Sequence, residues 1–310
     1  MLDTQAKSSH SRGMNKLPLE TRTQILTLMV EGSSMRAISR ITGVSINTVT
    51  KLLEDAGEAC VAHHDSAVRG LQSKRIQCDE IWSFNYCKKV TLKTAKAAPE
   101  DAGDIWTWTA IDADSKLIVS YLVGNRDREC ARDFMDDLGD RLANRVQLTT
   151  DGFSAYRNAV DMTFGNNVDF AQLIKLYSAT PDVGPAKKYS PGICTGTRKV
   201  PVYGLPDRAH VSTSYVESHN QKMRQHMRRF TRLTAAHSKK AANHLHMLAL
   251  YFTFYNFVKR HTSLRVSPAM AAGIETRLWE ISDIVALIDA RAPAQGPRGP
   301  YKKKQAAEYA

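Results

Sequence analysis

The chain has 310 residues, enough for about two domains at the usual ~150 residues each. Its composition, 43% hydrophobic and 24% charged, is that of a globular protein and excludes a disordered or fibrous chain. The net charge of +12 favours a polyanionic partner over a small metabolite, so nucleic acid is the leading candidate. The alternative is a soluble protein that is basic without such a partner.

Sequence patterning excludes several further classes of protein. No run of about 18 apolar residues, the length of a membrane span, occurs in the sequence, so we expect no membrane association. The polar N-terminus lacks the apolar segment of a signal peptide, and the five cysteines form neither a CxxC pair nor a zinc-type cluster. We therefore expect a cytoplasmic protein with free thiols.

The N-terminal part of the chain predicts a small helical domain. Residues 1–16 are expected to form a flexible basic arm, and residues 17–57 carry three helical patterns. Ser34 and Ser45 suit the N-caps of the second and third helices, and Gly43 ends the second helix. This arrangement is typical of a helix-turn-helix, although a plain three-helix cap is the alternative.

The third of these helices is the expected DNA-reading helix. It is predicted to end before Gly57 and to be followed by a polar linker over residues 58–75. Its open side carries the candidate DNA contacts Asn47, Thr48, Thr50 and Lys51. One departure from the usual pattern is Ser39, which lies four residues before Gly43 where Ala is common.

Beyond the linker, the pattern changes to alternating strands and helices. Three strands are predicted first, then a helix, a short strand, a helix, another strand and two long helices; the ranges are 76–84, 105–111, 117–123, 129–143, 146–150, 154–162, 168–176, 214–232 and 237–260. This order predicts an α/β, ribonuclease-H-like mixed sheet flanked by helices over residues 76–289. A Pro- and Gly-rich insertion is expected at 178–210, and a disordered basic tail at 290–310.

Three carboxylates occupy positions in this predicted fold that would allow them to converge. Asp79 lies in the middle of the first strand, Asp151 ends the fourth strand, and Glu217 opens a later helix. Phosphodiester chemistry with two divalent cations needs such a group of oxygen ligands. Each residue also has an ordinary explanation, as a turn residue or a helix-dipole partner. The competing carboxylates, ranked lower, are Glu80, Asp112, Asp114, Asp127 and Asp133.

The helix of Glu217 combines this acid with basic residues. Gln221, Arg224 and Arg228 follow Glu217 at helical spacing, which predicts one shared face. We expect the guanidinium groups of this face to bind DNA phosphates.

Four long motifs resemble the DDE transposases of bacterial insertion sequences, and in particular the group named after insertion sequence one. They are CDEIWSF around Asp79, GDIWTWTAIDADSKLI, LTTDGFSAY around Asp151, and STSYVESHNQKMRQHMRRFTRLT around Glu217. The segment YNFVKRHTSLRVSPAMAAGI is similar to the C-terminal end of that catalytic region, so the resemblance covers about residues 70–275. Several relatives carry an N-terminal zinc-binding cysteine cluster, which this sequence lacks.

The resemblance implies a catalytic triad and a set of DNA contacts. The triad maps onto Asp79, Asp151 and Glu217, which would hold two Mg²⁺ ions, with Mn²⁺ as a possible substitute. The family's polar and basic residues after the glutamate map onto Asn220 and Arg224. The expected DNA-binding set on and after this helix is Asn220, Lys222, Arg224, Arg228 and Arg229.

The implied activity is cleavage at the ends of an insertion sequence and transfer of the freed 3′-OH into target DNA. Its partners would be double-stranded element ends and target DNA, bound by a homodimer or higher oligomer in the bacterial cytoplasm, at the nucleoid when on DNA. Two alternatives stay open at this stage. One is a helix-turn-helix protein or decayed transposase that binds ends without catalysis, and the other is a nuclease that cuts without joining.

Overall fold

The computed structural model describes residues 16–178, 192–231 and 236–292. Its strands are β1 (Arg75–Asn85), β2 (Gly103–Asp112), β3 (Ile118–Gly124), β4 (Val146–Thr150), β5 (Val168–Tyr177) and β6 (Cys194–Tyr203). Its helices are α1 (Leu19–Val30), α2 (Met35–Thr42), α3 (Ile46–Ala67), α4 (Arg128–Arg141), α5 (Ala155–Phe164), α6 (Ser214–His226), α7 (Ala241–Thr253), α8 (Pro268–Ala271) and α9 (Ile281–Arg291).

The strands form one mixed six-stranded sheet in the order β3-β2-β1-β4-β5-β6. The first three strands are antiparallel, β1, β4 and β5 run parallel, and β6 closes the edge in antiparallel orientation. Helices cover both faces, so the predicted mixed sheet flanked by helices is confirmed.

The register between the two central strands has a direct consequence for the predicted site. β1 and β4 pair in parallel, with Arg75 opposite Gln147 and Gln77 opposite Thr149. Continuing this register by two residues brings Asp79 beside Asp151, at the point where β4 ends. Residues at equivalent positions of paired strands point to the same side, so the two carboxylates become neighbours.

The sheet separates two hydrophobic cores. On one side α4 and α5 pack against Ile76, Cys78 and Trp108. On the other side Ile81 and Ile111 pack against α6 and α7, and this second core continues into α1, α3 and α9. The N-terminal helices therefore share a core with the helical layer that covers the sheet.

The third helix is longer than predicted. α3 continues to Ala67, through Gly57 and through most of the stretch 58–75 that was expected to be a linker. Gly57 lies where α3 crosses α7, since a Cβ built on it would be 2.4 Å from the Cβ of His246. The sequence interpretation of Gly57 as a helix terminator was wrong because this glycine allows two helices to approach closely.

Two further regions differ from the predicted boundaries. The Pro- and Gly-rich insertion at 178–210 contributes β6, a ten-residue strand paired with β5. The two long C-terminal helices are shorter than expected: α6 ends at His226, and α7 ends at Thr253 in a π-helical turn. The predicted arm and tail lie almost entirely outside the described residues. Among the described residues, no helix combines the length and apolar character needed to cross a bilayer.

Candidate active site

An open cleft of about 990 Å³ lies where β1, β4 and β5 meet α6. All three predicted catalytic carboxylates, Asp79, Asp151 and Glu217, line this cleft. Arg224 and Gln221 line it as well, because α6 directs the face carrying Glu217 toward the ends of the strands.

Asp79 is fixed at the bottom of the site by α6. Its Oδ2 accepts a hydrogen bond of 2.9 Å from Nδ2 of Asn220, which is itself buried. Burial, followed by the nearby charges of Asp151 and Glu217, raises the pKa of Asp79 to about 6. The charged form of Asp79 is therefore disfavoured by lost hydration and by repulsion from the neighbouring carboxylates, and a bound cation would offset both.

Asp151 follows the last residue of β4 and is oriented by the turn after it. Its Oδ1 accepts a hydrogen bond of 2.9 Å from the backbone N–H of Phe153. Its Oδ2 lies 3.2 Å from Nη2 of Arg126, in the loop between β3 and α4. The carboxylate is therefore directed into the cleft with one oxygen bound by the backbone and the other by a guanidinium group.

A fourth carboxylate, Glu80, joins the site from the other face of β1. Its side chain is only 1% exposed, and its Oε2 accepts a hydrogen bond of 3.0 Å from Nε of Arg126. Burial, followed by the charge of Asp151, raises the pKa of Glu80 to about 7. In the sequence, Glu80 interrupts the alternation of apolar and polar residues in β1, which is the signal that points to it. As a candidate metal ligand it ranks below Asp79.

Glu217 lies in the same cleft but is bound to other partners. One oxygen, Oε2, accepts a hydrogen bond of 2.5 Å from Nζ of Lys175 on β5, and Oε1 accepts one from the hydroxyl of Thr213. Lys175 was not predicted from the sequence. The structure thus brings Asp79 and Asp151 together directly, whereas Glu217 stands beside them in an ion pair.

The acidic residues at the centre of the cleft have the chemistry of a divalent-cation site. Asp79, Glu80 and Asp151 each offer one carboxylate oxygen, and these oxygens all lie within 4.8 Å of one another. Hard cations such as Mg²⁺ and Mn²⁺ take oxygen ligands of this kind. The residues present therefore fit a divalent cation, with Glu217 near but outside this group.

The predicted DNA contacts on α6 separate into different environments. Arg224 lines the cleft, and Arg228 is exposed in the short 3₁₀ turn that follows α6. Lys222 is half-buried, with its pKa lowered by burial and by the charge of Lys116. Asn220 is buried, and its amide donates to Asp79.

Arg229 lies in the 3₁₀ turn after α6 and makes hydrogen bonds within the protein. Its Nη1 donates hydrogen bonds of 2.7 Å to Oγ of Ser238 and 3.1 Å to the backbone oxygen of Asn243. Burial lowers the pKa of Arg229 to about 10. These contacts connect the turn after α6 to the start of α7, and the DNA contact expected of Arg229 stays a prediction.

The predicted contacts on α3 lie near the start of that helix. Asn47, Thr48 and Lys51 are exposed, and Lys51 forms an ion pair of 2.6 Å with Asp55. Thr50 is partly exposed, and its hydroxyl donates to the backbone oxygen of Ile46 at 2.9 Å.

The turn before α3 is closed by two features of the sequence. Gly43 has a φ of +69°, which a residue with a side chain rarely adopts. Ser39, the departure from the usual alanine, donates a hydrogen bond of 2.7 Å from its hydroxyl to the backbone oxygen of Val44. Serine therefore stabilises the turn here.

Comparison with known proteins gives matches among solved structures. No family model matches the sequence, and no curated protein sequence matches it. The Mos1 transposase paired-end complex with left transposon end is 12% identical over 53% of this chain, with a TM-score of 0.21, and the match covers 61% of the Mos1 chain. The Mos1 mariner paired-end complex with Mn is 13% identical over the same shares, with a TM-score of 0.20.

A second protein matches over more of the chain. The piggyBac transposase synaptic complex with hairpin DNA is 9% identical, covers 89% of this chain and 73% of its own, and has a TM-score of 0.37. The chain thus spans about three-fifths of the Mos1 transposase and about three-quarters of the piggyBac protein. Alignments at these scores define neither a family nor an activity.

Proposed function

We propose that the chain is a DDE-type transposase with a ribonuclease-H-like catalytic domain, which cleaves DNA at the ends of an insertion sequence and joins the freed 3′ end to target DNA. The observation that carries the proposal is the cleft, where the β1–β4 register brings Asp79 beside Asp151 and α6 adds Glu217. The resemblance of the surrounding motifs to transposases of the insertion-sequence-one group names the same three residues.

In this proposal the chain's own residues orient the reacting groups. Asp79 and Asp151 serve as ligands of divalent cations, preferably Mg²⁺, and Asn220 keeps Asp79 directed into the cleft. Bound cations of this type would lower the pKa of water and stabilise charge on a phosphate. Glu217 would complete the ligand set after leaving Lys175. Arg224 would bind the DNA backbone at the edge of the cleft.

We further propose that α2 and α3 form a helix-turn-helix that recognises the element ends. Asn47, Thr48, Thr50 and Lys51 would face the DNA, since they lie on the first turns of α3, where such a helix enters the major groove. Joining two ends to one target needs two catalytic sites close together, so the active form would be a dimer or larger.

Incubation with DNA tests the proposal. The full chain is mixed with a duplex taken from the DNA that flanks its coding sequence, with Mg²⁺ or with EDTA, and nicked and strand-transferred products are separated on a gel. We expect Mg²⁺-dependent products from the wild type and from Asp133→Asn, an exposed acid on α4, and none from Asp79→Asn or Glu217→Gln.

The pattern of products separates the competing activities. Nicked DNA without joined DNA would indicate that the chain is a nuclease and not a transposase. Binding of the duplex without any product would favour a DNA-binding protein without catalysis. Full activity of Glu217→Gln together with loss of activity in Glu80→Gln would indicate that Glu80, and not Glu217, is the third metal ligand.

A further inference from the structure

Arg126 is an arginine that the sequence analysis did not single out, and it projects into the candidate active site. It lies between β3 and α4 and lines the cleft. Its guanidinium donates from Nε to Oε2 of Glu80 at 3.0 Å and from Nη2 to Oδ2 of Asp151 at 3.2 Å. The guanidinium carbon also lies 4.1 Å from the ring centroid of Phe153.

These contacts hold the guanidinium in one orientation. An arginine that donates through two nitrogens and stacks on an aromatic ring has little rotational freedom left to lose when it binds a ligand. Of the two carboxylates bound to Arg126, Glu80 is the more rigidly held, because its side chain is 1% exposed and that of Asp151 is 36% exposed. A buried carboxylate on the core side of β1 is costly without a cationic partner, so Glu80 has its physical explanation in Arg126.

The remaining donors of Arg126 are available to a ligand. Among the hydrogen bonds of the described residues, none starts from Nη1 of Arg126. A cation bound at Asp151 would compete for the oxygen that now accepts from Nη2. The arginine would then present two nitrogens to the same part of the cleft, which is the geometry that matches a phosphate.

We propose that Arg126 is a phosphate-binding residue of the cleft and that Glu80 is the positioning residue that holds it there. This inference rests on the proposed function, since the phosphate would belong to the DNA strand beside Asp79 and Asp151. Glu80 acts through Arg126 in this arrangement and contributes to DNA binding despite its negative charge.

Glu80→Gln changes DNA affinity in opposite directions under the two possible explanations, that Glu80 positions Arg126 or that it acts only through its charge. Removal of a negative charge beside a polyanion strengthens binding if only the summed charge matters. If Glu80 instead anchors Arg126, the variant binds DNA about 3- to 10-fold more weakly, as expected for the loss of one hydrogen bond that orients the guanidinium. We expect Arg126→Gln to weaken binding about 10- to 100-fold, the usual range for a charge-assisted hydrogen bond, and the double variant to be no weaker than Arg126→Gln alone.

The test uses the full chain and a fluorescein-labelled duplex from the flanking DNA, in Mg²⁺ and separately in EDTA, with the dissociation constant measured by anisotropy at several salt concentrations. Arg126→Gln should reduce the salt slope by about one. Arg132→Gln, which removes an exposed guanidinium on α4, is the matched control and should change the dissociation constant less than about 2-fold. Arg126→Lys keeps the charge and provides a second variant if Arg126→Gln is unstable; loss of its bidentate geometry should still weaken binding several-fold.

Two outcomes would overturn the inference while leaving the proposed function intact. One is a wild type that binds and cleaves DNA together with an Arg126→Gln variant that behaves like Arg132→Gln. The other is tighter binding by Glu80→Gln. A wild type that neither binds nor cleaves DNA would instead refute the proposed function itself.

Discussion

Replacement of Asp79 by asparagine is expected to stabilise the metal-free protein. Asp79 is partly buried, and its loss of hydration, followed by the charges of Asp151 and Glu217, raises its pKa from 3.8 to about 6. Because Asp79 is harder to ionise in the folded than in the unfolded state, its contribution lowers the free energy of unfolding as the pH rises from about 4 to about 6. A shift of this size corresponds to at most about 3 kcal/mol at neutral pH. Asparagine keeps an acceptor for Asn220 and removes the charge.

The assay is urea unfolding in EDTA at pH 4, 5, 6 and 7.5. The difference between Asp79→Asn and wild type should be small at pH 4 and should reach about 1–3 kcal/mol in favour of the variant at pH 7.5. Saturating Mg²⁺ should reverse the order, because ligand binding stabilises only the protein that retains its ligands.

Asp137→Asn serves as a control of opposite sign. Against the opposing effect of burial, hydrogen bonds from Arg141 and Ser120 hold the pKa of Asp137 below its usual value. Its contribution to stability is present at neutral pH and is lost as the pH falls through its folded-state pKa. Asp137→Asn should therefore destabilise the protein at pH 7.5. Equal destabilisation by both variants in EDTA would refute the electrostatic reasoning for Asp79.

Three further changes probe other parts of the structure. Gly57→Ala should lower the free energy of unfolding by about 1–3 kcal/mol, measured in urea, because its Cβ would clash with His246 and separate α3 from α7; unchanged stability would contradict the close crossing. Arg229→Gln should cost about 1–3 kcal/mol of stability through its lost internal hydrogen bonds and should leave the salt slope of DNA binding unchanged. Lys175→Gln should tighten Mg²⁺ binding several-fold in calorimetry, since Glu217 loses a competing cation; weaker Mg²⁺ binding would show that the ion pair positions Glu217 for the metal.

The sheet was predictable because its signals are local. Strand alternation and the turn at Asp151–Gly152 define β1 to β5 to within about two residues. The order of these strands then predicted that Asp79 and Asp151 would be close. The end of α3 was not predictable in this way, because a glycine that ends a helix and a glycine at a helix crossing look the same in one sequence. The partner that decides between them, His246, lies far away along the chain.

The site was predictable only where a backbone register defines it. Asp79 and Asp151 follow from paired strands, whereas Glu80, Arg126 and Lys175 are brought in by side chains whose reach the sequence does not show. Glu80 gave a signal, since a carboxylate interrupts the core face of β1, but its partner lies in a loop without periodicity. Helical spacing also placed Arg228 on the face of Glu217, yet α6 ends before it.

Two basic side chains in the cleft, Arg126 and Lys175, explain how the chain can fold with so many acids together. Arg126 bridges Glu80 and Asp151, and Lys175 binds Glu217, so both sides of Asp79 carry an internal cation. The negative charges of Asp151 and Glu217 are therefore already balanced by basic side chains. A divalent cation that binds these carboxylates would replace Arg126 and Lys175 as their partners. The exchange releases a guanidinium and an ammonium group beside the bound cations, where a DNA phosphate would lie. Under this arrangement metal binding and DNA binding would strengthen each other, because a cation bound at Asp151 or at Glu217 would free the basic group that now occupies that carboxylate.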